Sequence, residues 1–263
     1  MSRQKTTPQT LTPIRSNAGV RAAYQKWLDA EIEEMHRSIL YWVKAEYRKT
    51  GIAQDATPAA MMVEAMRRLA RRWRDHFDDV AAEMAKRFAD RVLRNSDAAL
   101  QASLAQKDIP TVRFTMSEPM RNAMQAVTAG NVNLIKSIAE QHLTQVETLV
   151  MQSVERGRDV GTLQMKLVEQ FGVTRRRAAT IARDQNNKAT AIMQTARQQA
   201  LGITEGIWKH SHAGKTPRPS HLKANNQRFN LKQGLYLDGE WVLPGEAINC
   251  RCTWAPILPW IDD

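Results

Sequence analysis

The sequence predicts a mainly α-helical protein, in which long helices are followed by a small α+β module with a short antiparallel sheet at the C-terminus. Apolar residues recur at helical spacing through most of residues 20–200. After Gly202 short β-type segments replace that period, and Asp238-Gly239 between two of them is a strong hairpin signal. With 263 residues, of which 43% are hydrophobic, the chain can form one large domain or two small ones.

The first two predicted helices cover residues 20–47 and 58–93. Gly51 ends the first, and Thr57 is the predicted N-cap of the second, which has proline at its first helical position. The second helix carries a continuous apolar stripe, which indicates core or a seam with a partner helix rather than a cofactor site. The polar triplet at 95–97 predicts a break after it.

Helical spacing then resumes over residues 117–154, with a predicted interruption at Gly130-Asn131. A short helix over 160–171 follows. Thr174 is the predicted N-cap of a final long helix over 175–200, which Gly202 closes.

The last part of the chain predicts three β-type segments. Residues 205–210 form a strand, and the Gly- and Pro-containing stretch 213–220 forms a loop. Residues 235–242 form the hairpin, and 252–254 form one more strand.

These boundaries predict a flexible arm at 1–17, a helical region at 18–156 and the carboxy-terminal domain at 157–263. The arm holds Thr, Gln, Pro and Ser without an apolar period. The sequence shows no secretory signal and no stretch of 18 apolar residues. Two cysteines in a chain of this length fit a reducing compartment.

The charge is strongly basic, at +11, which favours nucleic acid, an anionic membrane or an acidic partner. The excess lies ahead of residue 205, because the remainder has 7 Lys and Arg against 6 Asp and Glu. One basic cluster comprises five arginines between residues 67 and 74. It fits phosphate contact, and the acidic residues nearby indicate a solvated helix face as the alternative. The cluster predicted to contact the DNA phosphate backbone nonspecifically is Arg175, Arg176, Arg177, Arg183 and Lys188.

Histidines and cysteines near the carboxy end are the candidate metal ligands. Zinc favours imidazole nitrogen and thiolate sulfur, but Cys-x-Cys is shorter than the usual two- to four-residue ligand spacing. We expect the two cysteine side chains to diverge, unless a loop or bulge at Asn249 turns them to one side. We therefore assign no metal and no cofactor, and the open candidates are His210, His212, His221, Cys250 and Cys252.

A nucleophilic site is a further hypothesis, with one cysteine as nucleophile, His221 as base and Asn249 or Asp238 as orienting group. In the alternative, a cysteine packs as a small buried apolar group, and His221 bonds to backbone or a carboxylate. The sequence has no Gly-rich phosphate loop, His-Glu-x-x-His helix or Gly-x-Ser-x-Gly elbow. No catalytic residue is therefore predicted.

Four blocks of sequence, in this order and spacing, resemble one known family. They are the helical block 181–189 with its Ala-Arg-Asp-Gln-Asn-Asn core, Trp208, the Arg-Pro-Ser-His block 218–221, and the block 244–252 that ends in Asn-Cys-Arg-Cys. Over residues 160–259 the chain resembles the phage Mu F-like minor head proteins, the phage head morphogenesis domain family. Many members have an Asp between the tryptophan and the Arg-Pro-Ser-His block, where this chain has His212-Ala213-Gly214.

The resemblance implies a structural, non-enzymatic role as a minor head protein of a tailed phage or prophage, in head assembly or DNA delivery. It implies the portal protein, other head proteins and packaged double-stranded DNA as partners, without a membrane. It also implies a place in the virion head after assembly in the host cytoplasm. The family-motif residues expected to form a polar network that fixes the carboxy-terminal loops are Trp208, Arg218, Ser220, His221, Asn249, Cys250 and Cys252.

Two alternatives stay open. A metal-dependent nuclease would use His210, His212 and His221, and metal-dependent cutting of DNA would reveal it. A zinc-stabilised DNA-binding module without a phage role would retain zinc through dialysis and unfold on chelation.

Overall fold

The computed structural model describes residues 8–49, 58–156, 160–213 and 216–259. It confirms the mainly helical fold, since four long helices precede a small antiparallel sheet region. None of the helices in the described ranges has the length and apolar character needed to cross a bilayer. The helices are α1 (Ala18–Lys49), α2 (Pro58–Ala105), α3 (Glu118–Glu155) and α4 (Val160–Ala200).

The predicted break in α2 is wrong, because the helix continues through residues 95–97 to Ala105. Asn95 Nδ2 donates to the Arg91 carbonyl one turn earlier, at 2.9 Å. The carbonyl of Ser96, which is buried, accepts from Gln194 Nε2 at 2.8 Å. Residues typical of helix ends are therefore tolerated inside α2, because local and tertiary hydrogen bonds satisfy their polar groups.

The predicted interruption of α3 is also wrong. Gly130 and Asn131 lie within one continuous helix. Asn131 is fully buried, and its Oδ1 accepts from the Tyr24 hydroxyl at 3.0 Å. This asparagine holds another helix in place and does not end its own.

A single helix, α4, replaces the two helices predicted over 160–200. Thr174 is not a cap, since its Oγ1 donates to the Gln170 carbonyl at 3.0 Å and lies 2.8 Å from His142 Nδ1. The threonine is buried in mid-helix, where backbone and histidine partners replace the capping role.

Beyond α4 the chain forms a three-stranded antiparallel sheet and a separate hairpin. The sheet order is β2-β1-β5, and β3 pairs with β4. The hairpin prediction is confirmed, and its turn residues Asp238 and Gly239 have φ of 54° and 94°, as a type I′ turn requires. The short helix α5 and strand β2 were not predicted. The elements are β1 (Glu205–Lys209), α5 (Pro219–Lys223), β2 (Arg228–Asn230), β3 (Leu235–Leu237), β4 (Glu240–Val242) and β5 (Thr253–Pro256).

The chain divides into two compact units. Unit 1 comprises Met1–Arg21, Arg87–Thr128 and Arg183–Asp263, and unit 2 comprises Ala22–Lys86 and Ala129–Ala182. The predicted domain boundary near residue 157 stays a prediction.

Unit 2 is built on apolar stripes of its helices. The stripe predicted along α2 is buried as core, with Met62, Leu69 and Phe77 among its members. The α1 stripe is buried likewise, including Leu28, Ile32, Met35 and Ile39. Burial of such a continuous stripe is the main stabilising contribution expected for long amphipathic helices.

Residues 8–17, ahead of α1, pack against the core of unit 1 through Leu11, which differs from the expected flexible arm. Leu11 is 1% exposed, and its N–H donates to the Pro256 carbonyl at 2.9 Å. The N–H of Leu258 donates to the Gln9 carbonyl at 3.0 Å. Residues 1–7 of the predicted arm lie outside the described residues.

Candidate functional site

Three family-motif residues of unit 1 converge on one buried point. His221 Nδ1, on α5, lies 3.5 Å from Cys250 Sγ and 3.7 Å from Cys252 Sγ. The three side chains, here called the His-Cys cluster, are all buried, and their potential ligand atoms lie within 4.8 Å of one another.

The expected divergence of Cys250 and Cys252 is wrong. Side chains two residues apart in extended backbone lie on the same side, so the Cys-x-Cys spacing favours convergence. Asn249, with φ of 59°, makes the turn that leads into this segment. Both cysteines are free thiols.

Hydrogen bonds around the two thiols make them unequal. Cys250 Sγ accepts the backbone N–H groups of Gly245 and Cys252, each at 3.4 Å. The pKa of Cys250 is lowered, chiefly by a hydrogen bond from Cys252 and then by these two N–H groups. The same hydrogen bond between the two thiols, together with burial, raises the pKa of Cys252. Cys250 is therefore the thiol that ionises first.

Trp208 forms one wall of the cluster. It is fully buried, and its ring meets the His221 ring edge-to-face with centroids 5.3 Å apart. Its indole N–H is buried and has no hydrogen-bond partner among the described residues.

Arg218 and Ser220 attach α5 to its neighbours. An Arg218 guanidinium nitrogen donates to the Ile248 carbonyl at 3.0 Å. Ser220 Oγ donates to the Asp238 carboxylate, in the hairpin turn, at 2.7 Å. These residues thus join α5 to two loops through separate bonds, and their role as one network stays a prediction.

The helical motif block of α4 bonds directly to the Asn-Cys-Arg-Cys block. Asp184 Oδ1 accepts the Asn249 N–H at 2.8 Å, and Asn249 Oδ1 accepts from Arg183 at 3.1 Å. Asn187 Nδ2 donates to the Cys250 carbonyl at 2.8 Å. Asp184 and Asn187 were not predicted as site residues. Both lie in the helical block 181–189 that carries the family resemblance, and that position could have identified them.

The remaining predicted metal ligands lie nearby. His210 lines an open pocket of about 280 Å³ together with the His-Cys cluster and Arg218. The pKa of His210 is lowered, first by burial and then by the neighbouring His212. His212 is exposed, and its backbone N–H donates to His210 Nδ1 at 3.1 Å.

The nucleophilic hypothesis lacks its orienting group in the part of the chain that the structure describes. Asn249 Oδ1 accepts from Arg183, and the carboxylate of Asp238 accepts from Ser220. Neither side chain bonds to His221, so the geometry gives the imidazole no third partner of the kind a catalytic triad needs.

The predicted DNA-contact residues fall in both units. In unit 2, Arg175 lies 3.4 Å from the Asp29 carboxylate, and Arg177 donates to Ser137 Oγ at 2.9 Å. Burial lowers the pKa of Arg177. Arg176 is exposed, which leaves it the best placed of the three for a phosphate.

In unit 1, Lys188 Nζ lies 3.3 Å from Asp184. Arg183 lines a second pocket, of about 210 Å³, that three further arginines share. These three, which the sequence analysis did not single out, are Arg15, Arg21 and Arg251. They come from the segment before α1, from α1 and from the Cys-x-Cys loop, so their proximity is a property of the fold.

Two comparisons with known proteins give a match to this chain. A curated protein of Haemophilus influenzae, described as an uncharacterized protein, is 31% identical over 180 residues, which are 66% of this chain and 39% of that relative. The chain therefore spans well under half of the relative's length. No solved structure matches the chain. Residues 144–255 match the family described as phage Mu protein F like protein. This range includes both blocks that the bonds to Asn249 and Cys250 join. The match confirms the predicted resemblance to the phage Mu F-like family over residues 144–255.

Proposed function

We propose that the chain is a minor head protein of a tailed phage or prophage that acts in head assembly or DNA delivery. The observation that carries this proposal is the family match over residues 144–255. The role is structural and not enzymatic. Its site of action is the virion head, after assembly in the host cytoplasm.

The proposed protein partners are the portal and other proteins of the inner head. Support comes from unit 2, where Tyr41 and Trp42 of α1 are 66% and 39% exposed. Adjacent exposed aromatic side chains are typical of protein interfaces.

Nonspecific contact with packaged DNA is the second part of the proposal. The charge of +11 gives a favourable long-range attraction to phosphate. Arg176 and the four arginines of the pocket around Arg183 offer guanidinium groups that bond phosphate oxygens without reading base sequence.

The head role is tested by inducing the parent prophage, purifying DNA-filled heads and quantifying this chain by mass spectrometry. We expect it in heads, in far lower amount than the major capsid protein. A deletion of its gene should reduce DNA-filled heads or infectious particles. Its absence from purified heads, with normal yield in the deletion, would contradict the proposal.

DNA contact is tested by gel shift of plasmid DNA across a salt series, with divalent metal or with chelator. We expect intact, shifted DNA, and Arg176→Gln should reduce the slope of log K against log salt by about 0.9 if one phosphate contact is lost. The matched control is Arg94→Gln, another exposed helical arginine. Equal slopes for both variants and wild type would remove Arg176 from the interface. Metal-dependent nicking that disappears in His221→Ala would favour the nuclease.

A further inference from the structure

We propose that the His-Cys cluster of His221, Cys250 and Cys252 is a zinc site that fastens α5 to the loop before β5. The three residues come from two places in the sequence, 29 residues apart at the nearer pair. The fold nevertheless brings one imidazole and two thiols to a single buried point. These are the ligand types that structural zinc sites use.

The distances within the cluster fit a tetrahedral metal. Zinc binds sulfur at about 2.3 Å and nitrogen at about 2.0–2.1 Å, so a tetrahedral angle places the two ligand atoms about 3.6 Å apart. His221 Nδ1 lies 3.5 and 3.7 Å from the two sulfurs. The two nitrogen-to-sulfur distances thus already have the spacing that zinc would impose, and all three ligand atoms lie within 4.8 Å of one another.

The groups around the thiols suit metal-bound thiolates. Cys250 Sγ accepts two backbone N–H groups, from Gly245 and Cys252, at 3.4 Å. The indole N–H of Trp208, whose ring packs against His221, is buried and has no partner among the described residues. A cysteine packed only as an apolar group needs none of these donors, whereas a thiolate bound to a metal accepts them as supporting hydrogen bonds.

His210 and the three cluster residues line one pocket of about 280 Å³, which has room for a fourth ligand. Zinc sites with three protein ligands take water as the fourth, so the three residues of the cluster suffice to define the site. Zinc here would connect the Arg-Pro-Ser-His block to the Asn-Cys-Arg-Cys block. The predicted consequence is that zinc stabilises the carboxy-terminal loops.

The test is metal content of the full chain, purified under reducing conditions, loaded with zinc and dialysed against metal-free buffer. We expect about one zinc per chain in wild type. His221→Ala, Cys250→Ser and Cys252→Ser should each lose most of it. His212→Ala is the matched control, since it removes an exposed histidine close in sequence but outside the cluster, and it should retain zinc. Chelation should lower the Tm of wild type and of His212→Ala but leave the cluster variants unchanged.

If the variants fail to fold, a measurement on the wild-type chain alone still tests the site. Cobalt(II) should give a sulfur-to-cobalt charge-transfer band with the visible bands of a tetrahedral site, and zinc should displace it and slow thiol modification. Wild-type chain that retains no zinc and gives no cobalt–sulfur band would overturn the proposal. Retention of zinc by all three cluster variants would overturn it too. Because these readouts use neither phage heads nor DNA, failure of the zinc site and failure of the head role are distinguishable.

Discussion

The two units of the molecule differ in the burial of their ion pairs. Unit 2 buries apolar stripes of long helices, and its ion pair between Arg74 and Glu140 is exposed, with side chains 37% and 53% accessible. One ion pair of unit 1 is largely buried: Arg197, 6% accessible in its side chain, binds the Asp97 carboxylate through two nitrogens at 2.8 Å each.

Backbone geometry separates the units as well. All nine positions with positive φ lie in unit 1 among the described residues, and eight of them fall within 202–249. A left-handed conformation restricts which residue is tolerated, whereas a helical stripe requires only apolar character at the right period. The backbone of unit 1 therefore restricts the residue at more individual positions than the helical backbone of unit 2 does.

The largest expected difference in stability is between variants of the two arginine–carboxylate ion pairs. Arg197→Ala should destabilise the protein by about 3–5 kcal/mol, because it leaves the Asp97 charge partly buried and unpaired and removes packing on Phe114. Arg74→Ala should cost only about 0–1 kcal/mol, since its pair is exposed. Urea denaturation followed by circular dichroism measures both. Similar costs would contradict the contrast between the units.

The second prediction applies one substitution to a glycine of each unit. Gly234 has φ of 82°, and an added Cβ would lie 2.2 Å from the Val242 carbonyl oxygen, so Gly234→Ala should cost about 3 kcal/mol. Gly130 lies inside α3 with no atom within 4 Å of an added Cβ, so Gly130→Ala should stabilise by about 0.5–1 kcal/mol. We expect the Tm to fall for Gly234→Ala and to rise for Gly130→Ala, and thermal denaturation of both variants measures this. A loss of stability at Gly130 would show that α3 also depends on this residue.

Unit 2 also buries polar side chains, and one of them, His142, makes its stability depend on pH. His142 is buried, and burial together with neighbouring His36 lowers its pKa to about 4. Between that value and the unfolded value near 6.5 the unfolded chain binds more protons, so stability present above about pH 6.5 is lost as pH falls. Wild type should lose about 2 kcal/mol between pH 7 and pH 5 from this group.

The same denaturation at both pH values, applied to His142→Gln, isolates that effect. The variant keeps a hydrogen-bonding group near Thr174 but removes the titration. We expect it to be less stable at pH 7 and less sensitive to pH. An unchanged pH dependence would show that His142 does not protonate on unfolding in this range.

The helices of both units were predictable because periodicity is a local property, but three predicted interruptions failed. Asn131 bonds Tyr24, Thr174 bonds His142, and the Ser96 carbonyl bonds Gln194. Each residue type often ends a helix when it faces water. In this protein a partner distant in sequence satisfies it, and single-sequence reasoning has no access to that partner.

The site was predictable in its membership but not in its geometry. The blocks that contain His221, Cys250 and Cys252 were recognised, whereas their convergence depends on the short helix α5 and the left-handed turn at Asn249. Five helical residues give too little periodicity to detect. The hairpin was predicted fully, because Asp238-Gly239 determines its own turn without distant partners.

The segment around Leu11 has a consequence for assembly of the chain. Thr10 forms a bridge with Ile257, directly after β5, and the Leu11 N–H donates to the Pro256 carbonyl, so residues 9–11 cover the open edge of β5. An uncovered strand edge is a template for pairing with other chains. Contacts between such distant residues also form slowly. A chain that lacks residues 9–11 would expose that edge, so their contact with β5 protects the strand from pairing with other chains.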